Sequence, residues 1–506
     1  MQILVRADAS PSIGGGHIIR MLALCDEFKL RGAKINFACS KETLDTVRDL
    51  SNKTYSVTLI PDEKNKDKEL EFLEKEFGKD TDLLIIDHYQ WNESVEKHCK
   101  KWAGQIFVVD DMANNKRECD YLLNSSLGWN KKHYSRLVPS TCKLFLGPSY
   151  ALLSSSIRIR RMNSKMKQTS NINFSRIVVS MGLTDPENMT FGIVDALIKK
   201  NMKYDVDVIV GRKLKKLNEL KKLIDNSIAK INLYIEPDNY IDILSSATLV
   251  IGAAGNSSWE RSCLGLPSII IAVAENQEHQ AKMIEASGAG KYLGVPSGNS
   301  FEKIVNISLD YLSDTNKLNE IRNKALSLCD GLGAARIASE LTSKIKATDL
   351  KDVSLRPATY EDGEQMYVWQ KDHSTRKYAR NQSAPTREEH FSWFSKKMAD
   401  PYSLLNLILY DNDPVGVLRL DLMDKHSREI YEISINIDAG FRGLGIAAAA
   451  LKYLRFWLPK ANFYALVQKD NIVSHKLFSS SGFQYKGGSY WSISDGSDLD
   501  ASCSIS

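Results

Sequence analysis

Ile13-Gly14-Gly15-Gly16-His17-Ile18-Ile19-Arg20-Met21-Leu22-Ala23-Leu24 is the stretch that decides how the rest of the chain is read. It follows the apolar run Ile3-Leu4-Val5 and leads into a second apolar run. The order is strand, glycine turn, helix. Glycines lack a Cβ, so the backbone can turn sharply and bring bare N–H groups close to a bound anion. The helix that follows turns the positive end of its dipole to the same spot. His17 is held at the mouth of that turn, and imidazole titrates near neutral pH. Gly14, Gly15 and Gly16 are therefore candidate substrate-binding residues, with His17 the candidate catalytic base. The plainer alternative is a Gly-rich joint between a strand and a helix, with His17 an ordinary first-turn residue.

Working outward, short β-branched runs alternate with amphipathic stretches as far as residue 155. Ile3–Arg6, Ile35–Ala38, Leu83–Asp87 and Ile106–Asp110 are expected strands, with helical spacing at Leu22 to Phe28 and Leu70 to Phe77 between them. Such alternation implies βαβ units and a parallel sheet buried on both faces. Ligands then sit beyond the carboxyl ends of the strands. Asp87-His88-Tyr89 and Asp110-Asp111 fall there, and Asp87 and Tyr89 are candidate substrate contacts. The polar stretch Ser154 to Ser175, with Arg158, Arg160, Arg161, Lys165 and Lys167, reads as a solvated linker.

The α/β pattern restarts beyond it. Ile177 to Gly182, Val206 to Val210 and Ile231 to Ile235 are expected strands, and Thr184-Asp185-Pro186-Glu187-Asn188 has helix-start chemistry. Leu249 to Ala253 then runs through Ala254-Gly255-Asn256 into Ser257-Ser258-Trp259-Glu260. Small residues and hydroxyls at a helix N-terminus make an anion site, and a first-turn carboxylate can accept from ribose hydroxyls. Asn256, Ser257, Ser258 and Glu260 are the candidates there, against the alternative of a capping box built by Ser257 and Glu260. A further strand, Pro267 to Ile271, is expected to end in Glu275-Asn276-Gln277, which join the candidate substrate contacts. Two successive α/β sandwiches, each with its own glycine turn, resemble the GT-B architecture. There the nucleotide sits on the second half and the reacting group on the first. Helix dipoles can stabilise a departing diphosphate without a metal. No His/Cys cluster has ligand spacing, and no metal is expected.

Length and composition set the outer bounds. A chain of 506 residues suggests roughly three or four domains or subdomains. With 43% hydrophobic and 25% charged residues it has a soluble globular composition. The net charge of +5 does not call for a nucleic-acid partner. Eight cysteines without a C-x-x-C pair fit a reducing compartment. Arg6 and Asp8 interrupt the N-terminus before a signal peptide could form, and Ile269 to Ala274 is too short to span a bilayer. A cytoplasmic protein without a membrane partner is expected.

The segments RADASPSIGGGHIIRMLAL, DHYQWN, VVDDMANN, FLGPSYALL, SMGLTDPEN and GNSSWERSCLGLPSIIIAVAENQ occur in the order found in one family. Over roughly residues 1 to 340 the chain resembles the nucleotide-sugar hydrolases of pseudaminic acid biosynthesis. These release UDP from UDP-2,4-diacetamido-2,4,6-trideoxy-β-L-altropyranose. The resemblance implies attack by water on the anomeric carbon with inversion, departure of UDP, and a base at His17. Ser154-Ser155-Ser156 stands where that family has Arg-Pro-Glu, and Met181-Gly182-Leu183-Thr184 replaces a Gly-Gly-Ser turn.

A different pattern begins after residues 346–352. Val353 to Pro357, Leu405 to Leu409, Pro414 to Leu420 and Ile430 to Ile437 are expected strands, antiparallel by their short turns. Arg442-Gly443-Leu444-Gly445-Ile446-Ala447 then opens an apolar helix, and its N–H groups can cradle a pyrophosphate. A dinucleotide fold is disfavoured because the turn follows an antiparallel sheet. Arg442, Gly445 and Ala447 meet the R/Q-x-x-G-x-G/A pattern, and Asn471-Ile472-Val473-Ser474 with Gly482-Phe483 completes a resemblance to GNAT acetyltransferases. That resemblance implies an acetyl-CoA site at Arg442, Gly443, Gly445, Ala447, Asn471 and Ser474. Phe478 stands where many of these enzymes carry an acidic tyrosine, and His475 is expected on the solvated helix face.

The expected organisation is a Rossmann-like half at 1–155 carrying the catalytic histidine and a UDP-binding half at 172–345. A GNAT α+β domain at 353–490 and a candidate disordered tail at 491–506 follow. The expected function is bifunctional, with a UDP-amino-sugar and acetyl-CoA as its ligands. The alternatives are an inverting UDP-sugar glycosyltransferase, or a non-catalytic UDP-sugar binder with a protein-acetylating domain.

Overall fold

After Gln2, every residue of the first strand, Gln2–Ala7, is buried, as an apolar run in a sheet covered on both faces requires. A computed structural model of the protein describes residues 1–52, 55–61, 65–165, 176–200, 204–295, 300–423, 429–487 and 489–493. It divides into two units, Met1–Ala338 and Ser339–Ser506.

The first unit holds two parallel sheets. One contains β1 (Gln2–Ala7), β2 (Lys34–Cys39), β3 (Ser56–Leu59), β4 (Leu83–Asp87), β5 (Gln105–Val109), β6 (Tyr121–Asn124) and β7 (Lys143–Leu146). Its order is β3-β2-β1-β4-β5-β6-β7. The other contains β8 (Arg176–Ser180), β9 (Asp205–Val210), β10 (Ile231–Ile235), β11 (Leu249–Ala253), β12 (Ser268–Ile271) and β13 (Lys291–Tyr292), in the order β10-β9-β8-β11-β12-β13. The strand order reverses between β1 and β4 in the first and between β8 and β11 in the second. Those are the switch points where open α/β sheets leave a crevice. Alternate residues feed the two faces of the second sheet: Ile177, Val179 and Ile251 pack with Met189 and Ile193. Val178, Val250 and Ile270 pack with Trp259 and Cys263. This is the GT-B-like pair that the strand pattern implied.

The second unit is one mixed sheet of β14 (Val353–Pro357), β15 (Ser403–Tyr410), β16 (Asp413–Leu422), β17 (Ile430–Ile437), β18 (Asn462–Leu466), β19 (Gln484–Gly487) and β20 (Tyr490–Ile493). The order is β14-β15-β16-β17-β18-β20-β19. Asp411 and Asn412 both have positive φ, 54° and 71°, which a two-residue hairpin turn demands. β17 pairs in parallel with β18 only as far as Ile433 and Ala465, so beyond that register the two strands part. This is the GNAT α+β arrangement.

Several expectations change. Strands β3, β6 and β7 had no clear signal in their short, mixed sequences. The strand expected to end at Glu275–Gln277 stops at Ile271, and Glu275 opens a helix, Glu275–Ala286. Residues 491–493, assigned to a tail, belong to β20, paired with β18 and β19. Residues 494–506 lie outside the described residues. The expected linker is a helix, Ser155–Lys165, for the part the structure describes; residues 166–175 lie outside it. Arg161 is buried and donates from Nη1 to the carbonyls of Cys263 (2.8 Å) and Cys329 (3.0 Å), and from Nη2 to that of Leu326 (3.0 Å). Arg158 Nη1 reaches the carbonyl of Asp330 at 2.6 Å. The Cys263 and Leu326 carbonyls belong to the last turns of helices Ser257–Leu264 and Thr315–Leu328, where a guanidinium satisfies groups that have no partner within the helix.

Cys25, Cys39, Cys99, Cys119, Cys142, Cys263 and Cys329 are free thiols, all but Cys142 buried; Cys503 lies outside the described residues. Among the described residues, no helix is long and apolar enough to cross a membrane.

Arg161→Leu removes the donor to three carbonyls at once. It is expected to destabilise the first unit by roughly 3 kcal/mol or more, since each buried group left unbonded costs about 1–3 kcal/mol. Urea denaturation measures this, and a change below about 0.5 kcal/mol would return the segment to the solvated class.

Candidate active site

The turn before the first helix, Gly16–Leu30, is organised by packing between the two halves of the first unit. Gly14 has φ +85°, and its N–H donates to the Ser10 carbonyl at 2.8 Å. A Cβ on Gly15 would come within 2.6 Å of Leu183 Cδ1 and 3.1 Å of Val47 Cγ2. Leu183 belongs to the turn after β8, so the bare Cα of Gly15 is what lets the second half approach the first. Glycine at 15 is thus required by packing, whatever its backbone offers a ligand. Gly16 has open space around it.

His17 is 7% exposed. Its Nδ1 lies 2.6 Å from Asp87 Oδ1, at the end of β4. Burial by itself would raise the Asp87 carboxyl, but the charge of Arg20, with help from His17, holds it well below the usual carboxylate range. An ionised carboxylate only accepts, so in the neutral imidazole Nδ1 carries the proton and Nε2 the lone pair. Asp87 was expected to touch substrate; the structure instead buries it under the histidine. Arg20 Nε and Nη2 donate to the two Asp87 oxygens at 2.7 and 2.6 Å. Arg20 Nη1 and Nη2 donate to the two Asp111 oxygens at 2.9 and 3.0 Å. One guanidinium therefore clamps two carboxylates. The Tyr89 hydroxyl donates to Asp111 Oδ2 at 3.0 Å and accepts from Asn276 Nδ2 at 2.7 Å. The Tyr89 ring stands edge-on to the imidazole, with centroids 4.7 Å apart. Asn276 lies on Glu275–Ala286 of the second half, so the network crosses the crevice.

The turn after β11 faces the same crevice but forms no capping box. Ser257 and Ser258 hydroxyls point back to the Ala253 carbonyl at 3.4 Å each. Arg261 donates to both hydroxyls at 3.0 Å and to that carbonyl at 2.7 Å. Ser258 is thereby drawn into the strand–helix junction, a correction to its expected ligand role. Glu260 Oε2 accepts from the Tyr240 hydroxyl at 2.8 Å, and burial raises its carboxyl. Asn256 Nδ2 reaches the Leu152 carbonyl at 3.5 Å, and Gln277 Oε1 accepts from the Val273 N–H at 3.1 Å. The Glu275 side chain lies outside the described residues. Gln280 donates to the carbonyls of Ala254 (2.8 Å) and Gly255 (3.1 Å) and accepts from Ser126 Oγ at 3.2 Å. It joins this turn to the first half.

Arg20, Asp111, Tyr240, Arg261 and Gln280 were missed as site residues. For Arg20 a signal existed, because positions three apart share a helix face and His17 precedes it by three. Arg261 had the same kind of signal, since it follows Ser258 by three and Ser257 by four residues; Asp111, Tyr240 and Gln280 meet their partners only through the tertiary fold.

In the second unit, Gly443 and Gly445 have φ +85° and +75°, and Gly445 precedes the helix Ile446–Trp457, which includes Ala447. Arg442 does not reach out from this turn. It braces the turn from behind, donating to the carbonyl of Ile437 (3.0 Å) and to the hydroxyls of Ser374 (2.7 Å) and Thr375 (3.0 Å). Asn471 Oδ1 caps the helix Ile472–Ser480 by accepting from the Ser474 N–H at 3.1 Å. His475, expected on the solvated face, is half-buried: its Nδ1 accepts from Trp491 Nε1 at 2.9 Å, with Nε2 3.2 Å from the Gln468 carbonyl. Among the described residues, no group of three or more His, Cys, Asp or Glu is placed to hold a metal.

Residues 364–483 match the acetyltransferase (GNAT) family. An uncharacterised protein of Methanocaldococcus jannaschii is 22% identical over 503 residues, covering 96% of this chain and 97% of its own. UDP-2,4-diacetamido-2,4,6-trideoxy-beta-L-altropyranose hydrolase of Campylobacter jejuni is 27% identical over 290 residues, 57% of this chain and 97% of that enzyme. Among solved structures, Acinetobacter baumannii MurG covers 67% of this chain and 98% of its own, with 12% identity and a TM-score of 0.49. The first unit is thus homologous to a nucleotide-sugar hydrolase, and a GNAT domain follows it.

Arg20→Met would strand the buried carboxylate of Asp87 and the half-buried one of Asp111. At pH 7 it is expected to cost roughly 3–5 kcal/mol, the range for breaking a buried pair from one side. Without Arg20 the pKa of Asp87 rises, so the variant regains stability as pH falls through that raised value. The native Asp87, held low, loses its contribution only below the unfolded value near 3.9. The gap between variant and native protein should therefore narrow from pH 7 to pH 4.5 in urea titrations; a constant gap would contradict the clamp.

Proposed function

We propose that the chain is a bifunctional nucleotide-sugar enzyme of pseudaminic acid biosynthesis. Its first unit hydrolyses UDP-2,4-diacetamido-2,4,6-trideoxy-β-L-altropyranose with inversion. Its GNAT domain N-acetylates the 4-amino group of the precursor UDP-sugar from acetyl-CoA. The observation that carries the hydrolase reading is the 2.6 Å contact of His17 Nδ1 with Asp87, which leaves Nε2 as the proton acceptor at the β1/β4 switch point.

Water attacks the anomeric carbon from the face opposite UDP, and its proton passes to His17 Nε2. The imidazolium that forms is stabilised by Asp87, which also fixes the ring and its tautomer. The glycosyl–phosphate bond breaks and its electron pair leaves on the β-phosphate oxygen. The N-terminus of Ser257–Leu264 and the small-residue turn before it are suited to hold that diphosphate. The Glu260 oxygen not engaged by Tyr240 is suited to a ribose hydroxyl, with Asn256 and Ser257 beside it. Ile13, Tyr89 and Met112 are exposed at the same strand ends and offer apolar contact to acetamido methyl groups. In the GNAT domain the free amine of the sugar attacks the thioester carbonyl, CoA leaves as the thiol, and the amine proton passes to solvent.

Support for this reading comes from the hydrolase homology of the first unit and the GNAT match of the second. Incubation with acetyl-CoA and the UDP-4-amino sugar should release CoA and then UDP, followed by mass spectrometry. Transfer of the sugar to an acceptor instead of water would favour a glycosyltransferase, and tight UDP binding without turnover a binder.

His17→Asn keeps hydrogen bonding but cannot take up the proton. UDP release is expected to fall by roughly 10²–10⁴-fold with UDP affinity nearly unchanged. A variant with near-native turnover would move the base to another residue, His88 first. Glu260→Ala is expected to weaken UDP binding by roughly 1–3 kcal/mol, which calorimetry on the folded variant would read. Unchanged affinity would remove Glu260 from the nucleotide site.

A further inference from the structure

The segment leading into the GNAT sheet forms part of its cofactor turn. Residues 345–353 fold back on themselves: Ala347 N–H donates to the Lys351 carbonyl at 2.9 Å, and Val353 N–H to that of Ile345 at 3.0 Å. This presents Thr348 to the turn Arg442–Gly445. The Leu444 carbonyl accepts twice from Thr348, from its hydroxyl at 2.7 Å and from its N–H at 3.1 Å. Thr348 also fills the space beside Gly445, where an added Cβ would lie 2.7 Å from Thr348 Cγ2. The need for glycine at 445 is thus imposed by a protein side chain as well as by the positive φ.

We propose that Thr348 is a positioning residue for the pyrophosphate of acetyl-CoA. The physical reason is the planarity of the peptide. In a trans peptide the C=O and the N–H point in opposite directions, so fixing one aims the other. Two hydrogen bonds fix the Leu444 carbonyl toward Thr348, and the Gly445 N–H of the same peptide therefore points away from it. With Gly443 and Gly445 both at positive φ, the successive N–H groups of the turn form a concave anion site. Thr348 preorganises that site without touching the ligand, and so removes part of the ordering cost of binding.

This inference rests on acetyl-CoA being the cofactor of the domain. The test uses the full-length protein with Thr348→Val, which keeps the shape and the N–H but loses the hydroxyl, and Thr348→Ser, which keeps the hydroxyl. For the Val variant the acetyl-CoA KM is expected to rise about two- to twelve-fold, the equivalent of one lost neutral hydrogen bond. kcat, the KM for the amino sugar, UDP release and thermal stability should not change, and the Ser variant should restore the native KM. S-acetylpantetheine lacks the pyrophosphate, so its kcat/KM should be the same for the native and Val proteins. An unchanged acetyl-CoA KM in the Val variant, or an equal loss with both thioesters, would overturn the role of Thr348. Failure of the native protein to bind or use acetyl-CoA would instead overturn the acetyltransferase reading.

Discussion

The first unit depends on one guanidinium. Arg20 donates to all four oxygens of Asp87 and Asp111 within 3.0 Å. Two carboxylates that close could not both stay ionised without it. Ionised, Asp87 is an acceptor only, which decides which nitrogen of His17 is protonated. Ionised, Asp111 takes the Tyr89 hydroxyl, whose other side takes an amide proton from Asn276 on the second half. Tautomer, ring orientation and one tie across the crevice thus follow from a single buried cation.

The same economy recurs elsewhere in the unit. Arg161 holds carbonyls at two helix ends, and Arg261 holds both hydroxyls and a carbonyl at the turn after β11. Planar, permanently charged guanidinium groups suit this use because several donors leave one group in fixed directions. Each would leave several groups unsatisfied if removed.

Glycine has two roles at the two turns. Gly14 and Gly445 need it because their φ is positive, which is a local requirement. Gly15 and Gly445 also need it because Leu183 and Thr348 pack where a side chain would stand. A turn read as ligand-facing can thus be partly a packing joint, and the N–H groups then serve a ligand only in the directions the packing leaves open.

What the sequence alone determined is what depends on near neighbours. The apolar run of β1, the glycine turn and the helix bearing His17 were legible because each is set within a few residues. Asp87 was legible as a strand-end acid, and Arg442 to Ala447 as a turn that opens a helix. The antiparallel strands of the last domain showed in their alternation and in the Asp411–Asn412 turn. What only the tertiary structure decided is who meets whom. Arg161 looked like a solvated charge because its carbonyl partners lie 102, 165 and 168 residues away. Glu260 looked ready for a ligand because its Tyr240 partner lies 20 residues away on another helix. Asp87 looked like a substrate contact because its burial under His17 follows from the pairing of β1 with β4, across intervening β2 and β3. Periodicity and turn chemistry act over short spans, whereas the state of a buried polar group is set by whatever distant segment the sheet order brings to its side.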